Sequence, residues 1–336
     1  MRKLKIAIIG YGGIARVHNS AYARLASEGA CLELCAVCER DPSRIHADLK
    51  FNLGNENVEL PEGTAIFTDV DELISGAEFD VADICLPTYL HKDVAIKLMR
   101  AKKHVICEKP MALSFLDCEE MIRVSRESGV QLMIAHCLRF DSAYRYLYDS
   151  YKDGRFGALD NLYLDRHSIY PTWGGAFGDN TKTGGCTLDT HIHDLDFALH
   201  LLGTPDYVSA VEFNNPPHYQ VVTSTLHFGD TTVIANGSWD SAYEKQFECG
   251  YRARFERASI TFDGTTVNVI PVDGEPYCPT LSGPDRTDAE LSYFADTVCG
   301  AENTVCPPES SASGVRLVEL LRQSATQGGA KIRFDS

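Results

Sequence analysis

Over residues 1–136, short apolar runs alternate with stretches of helical periodicity. KIAIIG (5–10), LELCAVCE (32–39), DVADICLP (80–87), HVICEKP (104–110) and VQLMIAH (130–136) predict buried strands. Between them, helices are expected through His18 to Ala26, over about residues 91–101, and over 114–128 with Ser114 as N-cap. Apolar strands alternating with helices predict an α/β domain with a doubly wound parallel sheet covered on both faces. The pattern changes after residue 136. A helix is expected near 143–152, ending at Gly154. Period-two alternation then runs through NLYLDRHSIY (161–170), DYVSAVEFN (206–214), VVTSTLHF (221–228), TTVIANGSW (231–239), FECGYRARFERASITF (247–262) and TTVNVI (265–270). Turn signals such as Gly229-Asp230 and Asp263-Gly264 separate several of them, so a large, mostly antiparallel sheet is predicted. Two closing helices are expected, at 289–299 and 311–326. The expected division is therefore 1–136 and 137–336, the second part being an α+β domain.

Composition narrows the partners. The 336 residues include 31 basic and 47 acidic side chains, a formal net charge of -16. Such a surface repels phosphate backbones and anionic lipid, which argues against nucleic acid or membrane as partner. No run approaches the roughly 18 apolar residues of a membrane span, and the apolar N-terminal run is too short for a signal peptide. A cytoplasmic protein is expected. Twelve cysteines in scattered spacing fit a reducing compartment. The single Cys-x-x-Cys, Cys35 to Cys38, lies on a predicted strand where positions three apart face opposite sides, so neither a zinc nor a redox site is expected there.

The first strand runs into Gly10-Tyr11-Gly12-Gly13-Ile14-Ala15 and then a helix. Gly10 permits a tight turn, Gly12 lets backbone approach a pyrophosphate, and Ala15 packs the helix closely on the strand. Glu39, at the end of the next strand, is placed to bind ribose hydroxyls. Its charge repels a 2′-phosphate, so NAD is favoured; the adjacent Arg40 leaves NADP open. Ligands of such sheets sit at the carboxyl ends of the strands. Two more strand ends carry polar groups: Pro87, Thr88 and His91, then Glu108, Lys109 and Pro110.

The densest titratable stretch is DTHIHDLD (189–196). Leu188, Ile192, Leu195, Leu199 and Leu202 recur at helical spacing, which puts Asp189 and His193 on one face of a single helix. His191 falls about 200° away from Asp189 on that helix, so His191 and His193 do not grip one metal ion, and no metal site is expected. Asp189 with His193 suits proton transfer, since imidazole titrates near neutrality; a surface helix pair is the bland alternative. Asp194 and Asp196 are expected to be solvated or structural charges.

GYGGIARVH (10–18), PTYLH (87–91), HVICEKP (104–110), LRF (138–140) and GGCTLDTHIHD (184–194) together resemble the Gfo/Idh/MocA oxidoreductase family, in order and over nearly the whole chain. The resemblance implies an N-terminal Rossmann domain, a nicotinamide cofactor, sugar, inositol or polyol substrates, and a homo-oligomer (dimer or tetramer). Carried over by position, it implies Lys109 as the lysine contacting substrate and nicotinamide, with Asp189 and His193 as the acidic and histidine site positions. Many members have glycine where this chain has His191. Hydride transfer is then the expected chemistry, with His193 taking the alcohol proton, Asp189 orienting it and Lys109 stabilising the alkoxide. Two alternatives remain open: glycoside hydrolysis by transient oxidation, and a non-catalytic nucleotide-sensing regulator. In and before the glycine-rich segment 166–185, His167, Tyr170 and Trp173 are candidates for the sugar, as is Arg139 for its hydroxyls.

Overall fold

The computed structural model describes residues 3–47, 59–171, 178–245 and 247–334. It divides into two compact units, Met1–Cys137 with Pro284–Ala312, and Leu138–Gly283 with Ser313–Ser336. Segment 284–312, expected with the second domain, thus packs with the first.

The first unit holds strands β1 (Leu4–Ile9), β2 (Leu32–Cys38), β3 (Ala65–Phe67), β4 (Val81–Ile84), β5 (His104–Glu108) and β6 (Leu132–Ala135). All pair in parallel, in the order β3-β2-β1-β4-β5-β6. β4 and β6 are buried at every position, as a sheet covered on both faces requires. The helices are α1 (Gly13–Ser27), α2 (Val70–Gly76), α3 (His91–Arg100) and α4 (Phe115–Ser128). Ser114 caps α4 by accepting from the Asp117 amide, and Gly129, at φ 66°, ends it; a left-handed stop favours glycine. β3 and α2 were not visible in the apolar pattern, because β3 is three largely exposed residues.

The second unit opens with α5 (Ser142–Lys152) and the long strand β7 (Leu159–Ser168), followed by α6 (Asn180–Thr183), α7 (Gly185–Asp189) and α8 (Ile192–Leu202). Its sheet continues with β8 (Tyr207–Asn215), β9 (Tyr219–Phe228), β10 (Thr231–Asp240), β11 (Phe247–Phe255), β12 (Ala258–Phe262), β13 (Val267–Pro271) and the two-residue β14 (Ile332–Arg333). The order is β13-β12-β11-β7-β10-β9-β8-β14. Every pair is antiparallel except β7 with β10, which run parallel. The expected segment 247–262 is a hairpin, turning at Glu256-Arg257.

Alternation decides which face is covered. Leu162, Leu164 and Arg166 of β7, Val222, Ser224 and Leu226 of β9, and Val233 and Ala235 of β10 are buried, and α7 and α8 pack on these strands. Tyr144 of α5 packs edge-on against Phe197 of α8 and Tyr251 of β11, closing the core. α9 (Arg286–Val298) belongs to the first unit, where it packs on α1. Arg24 makes a bidentate ion pair with Asp288 across that contact. The last helix is α10 (Pro308–Thr326). Among the described residues, no helix is long and apolar enough to cross a membrane.

Candidate active site

In the first unit, β1 delivers Gly10 at φ 84°. A Cβ there would lie 2.7 Å from Leu86 Cδ2 and 2.8 Å from the Cys85 carbonyl oxygen, so conformation and packing both require glycine. Gly12 begins α1 with no side-chain cap, the first turn carries no acidic group, and a Cβ on Gly12 would meet nothing within 4 Å. The helix therefore presents uncapped N–H groups and unneutralised positive dipole on an open face, which fits a pyrophosphate. Ala15 is fully buried. Glu39 accepts from the Tyr11 amide through Oε2 at 2.8 Å and from the Asp41 amide through Oε1 at 3.0 Å. It braces the loop, and each oxygen keeps a second lone pair that fits a ribose hydroxyl. Arg40 is exposed.

At the next strand ends, His91 is buried with Nδ1 2.9 Å from the Pro110 carbonyl and Nε2 2.7 Å from the Leu86 carbonyl. It ties the turn after β4 to the turn after β5. Burial pushes its pKa down, against the pull of the two carbonyls. Glu108 accepts from the Lys109 amide through Oε2 at 3.1 Å, and its Oε1 lies 3.3 Å from His18 Nε2. His18 Nδ1 is 2.8 Å from Asp83 Oδ2, to which the Tyr22 hydroxyl also donates. Burial alone would lower the His18 pKa; the Asp83 carboxylate and the Cys85 sulfur outweigh it and raise the pKa well above its ordinary value. The buried carboxyl of Glu290, on α9, is driven towards its protonated form by burial first and by Glu108 second. His18, Asp83 and Cys85 lie close enough together to suggest a metal. However, the imidazole and carboxylate are hydrogen-bonded to each other, so a proton holds the place an ion would take. The sequence pattern alone assigns no role to His18, Asp83 or Glu290. The available signal was Asp83, a charge inside an otherwise apolar strand.

In the second unit, Gly184 and Gly185 turn the chain into α7 at φ 79° and 66°, and buried Gln220 accepts from the Cys186 amide at 2.8 Å. The expected single helix is interrupted. The amides of Thr190 and His191 both donate to the Cys186 carbonyl, at 3.0 and 2.9 Å, which inserts one residue into the turn. Asp189 ends α7 and His193 sits in the first turn of α8, so the four-residue spacing no longer defines a shared helical face. Trp239 Nε1 donates to Thr190 Oγ1 at 2.7 Å, and His191 Nε2 lies 2.9 Å from Ser224 Oγ. Within DTHIHDLD, His191, Asp194 and Asp196 are buried, whereas Asp189 and His193 keep partial exposure. Arg166 clasps Asp194 through Nε at 2.8 Å and through a second nitrogen at 3.0 Å, and Arg139 clasps Asp196 in the same way. Asp194 and Asp196 are thus structural, in buried ion pairs.

A family model described as an oxidoreductase family with NAD-binding Rossmann fold matches residues 4–136. The GFO/IDH/MocA C-terminal domain matches residues 144–265. The chain belongs to the Gfo/Idh/MocA oxidoreductase family. It is 33% identical over 189 residues to the 2,7-anhydro-N-acetylneuraminate hydratase of Escherichia coli, covering 52% of this chain and 50% of that protein. It is 29% identical over 248 residues to the D-glucoside 3-dehydrogenase of Escherichia coli, covering 71% of this chain and 63% of that protein. The chain spans about half the length of the first of these relatives and less than two thirds of the second. In fold it matches aldose-aldose oxidoreductase from Caulobacter crescentus, solved with glycerol, at TM-score 0.84 and 22% identity over 99% of this chain and 100% of that one.

Several side chains expected at the Gfo/Idh/MocA site lie elsewhere. His91 and the Tyr11 side chain are 1% and 2% exposed; they brace the loops instead of lining them. The Arg139 side chain is 1% exposed in its ion pair with Asp196, which removes it from the substrate assignment. His167 follows Arg166 on β7, so alternation turns it to the sheet face opposite α8, where Nδ1 lies 2.8 Å from Ser238 Oγ. It does not share a sheet face with α7 and α8. Tyr170 is core, packed edge-on against Trp239. Trp173 lies outside the described residues.

Proposed function

We propose that the chain is an NAD-dependent oxidoreductase acting on a CH–OH group of a sugar, inositol or related polyol. Bound nicotinamide would supply the hydride acceptor or donor. Gly10 to Ala15 and the α1 N-terminus hold the pyrophosphate, and Glu39 holds the adenosine ribose. Lys109 offers an ammonium to the developing alkoxide. His193 takes the hydroxyl proton; its Nδ1 is buried, so the exchange falls to Nε2. Asp189 orients the ring. The observation that carries this chemistry is the selective exposure in DTHIHDLD: Asp189 and His193 alone of its five titratable side chains escape the core.

Titrating stripped protein with NADH and NADPH by nicotinamide fluorescence tests the cofactor half. Tighter NADH binding is expected, weakened more than NADPH binding by Glu39→Ala; an unchanged preference removes Glu39 from ribose recognition. A panel of sugars and polyols with NAD tests the chemistry. Lys109→Ala should lose about 100-fold or more in turnover while cofactor affinity stays within a few-fold. Normal turnover would remove Lys109 from the mechanism.

The kinship with a protein named a hydratase favours a second reading, in which the same residues oxidise, eliminate and re-reduce one sugar. Turnover with no added cofactor separates the two. A purely nucleotide-sensing role gives Lys109 and His193 nothing to do.

A further inference from the structure

His191 has no part in the proposed mechanism, yet the structure builds a seat for it. Its ring is fully buried. Nε2 meets Ser224 Oγ on β9 at 2.9 Å. The ring lies over Gly237 of β10, where a Cβ would come within 2.9 Å of Nδ1 and 3.1 Å of the His191 Cβ. No side chain larger than glycine fits beneath it without displacement. On the residue before, Thr190 is held to Trp239, also on β10. Two successive side chains therefore fasten the extra-residue turn to two neighbouring strands. That turn joins the helix ending at Asp189 to the helix carrying His193. Burial, then the Arg166 guanidinium and His167, bring the His191 pKa down to about 3. The ring is thus neutral at working pH, and its anchor is a neutral hydrogen bond.

We propose that His191 is a positioning residue for His193, an inference that rests on the acid–base reading: its bond to Ser224 fixes the turn between α7 and α8 and so the direction in which His193 leaves the backbone. The ring reaches the sheet and not the substrate, so it acts only through the turn.

The test needs no substrate. Diethylpyrocarbonate acylates neutral, accessible imidazole, and peptide mapping by mass spectrometry gives a rate for each histidine. Followed from about pH 5 to 8 on the full chain, the rate at His193 yields its apparent pKa. His191→Leu and Ser224→Ala keep the core filled but remove the bond. Each should shift the His193 apparent pKa by at least about half a unit, roughly a threefold change in reactive fraction at fixed pH. His191→Gln, which keeps a donor near the Nε2 position, should hold the wild-type value. Unchanged labelling of His167 and His227 shows that the fold is intact. If Leu and Ala leave His193 as in wild type while the melting temperature falls, His191 only packs, and the proposal fails. It also fails if His191→Gln shifts His193 as far as His191→Leu does. The acid–base reading falls separately, on full turnover by His193→Gln.

Discussion

The two units each bury a histidine almost completely, one as a cation and the other as a neutral ring. His18 lies between two carboxylates, Asp83 and Glu108, and its pKa rises. His191 lies between a hydroxyl and a glycine, with Arg166 near, and its pKa falls to about 3. Burial works against charge in both. The partners decide the outcome, so a histidine's depth says little about its charge until its neighbours are known.

The largest effect should come from breaking the charged member. Asp83→Ala leaves the buried His18 cation short of its main partner and should cost about 3–5 kcal/mol. Scanning calorimetry should show a melting temperature roughly 10 °C lower; an unchanged one would mean that the pair is not ionic. Gly237→Ala attacks the neutral member by crowding. A cost of about 1–3 kcal/mol is expected, and His191→Gly in the same chain should relieve it. No relief would show that the ring does not fill that space.

The comparison is sharpened most by pH. A raised native pKa gives stability that is full below the unfolded value, about 6.5, and is lost as pH rises through the native value. The stability gap between wild type and His18→Gln should therefore narrow as pH rises above about 6.5. A depressed native pKa gives stability that is full above about 6.5 and is lost as pH falls toward the native value. The gap for His191→Gln should therefore narrow between about 6.5 and 3. Denaturation across pH reads both slopes, neither steeper than about 1.4 kcal/mol per pH unit. Parallel slopes would collapse the contrast.

Much of this was legible in the sequence. Unbroken apolar runs marked β1, β2, β4, β5 and β6, and alternation marked β7 to β13, because buried faces impose their period on the chain. Period two does not encode strand direction, so the parallel pairing of β7 with β10 was invisible. It did encode facing: Arg166 and His167 are neighbours, and burial of one turns the other outward. The tight turn at Gly10 was legible because its geometry is local. The break at Thr190-His191 was not, because Leu188, Ile192 and Leu195 keep helical spacing across it. Only Trp239 and Ser224, 49 and 33 residues further along, reveal it. His18 with Asp83 was hidden for the same reason, being separated by 65 residues.

The return of segment 284–312 to the first unit has a consequence for synthesis. When Cys137 has been added, that unit still lacks α9, and with it Asp288 for Arg24 and Glu290 for the His18 cluster. A further 146 residues (283 − 137) are made before the segment begins. At ribosomal speed this is roughly 7 to 30 s. During that interval the nascent chain carries six parallel strands with one flank of α1 uncovered. Both units thus close out of chain order: the first waits for 284–312, and the second is completed only by 313–336, the last residues made.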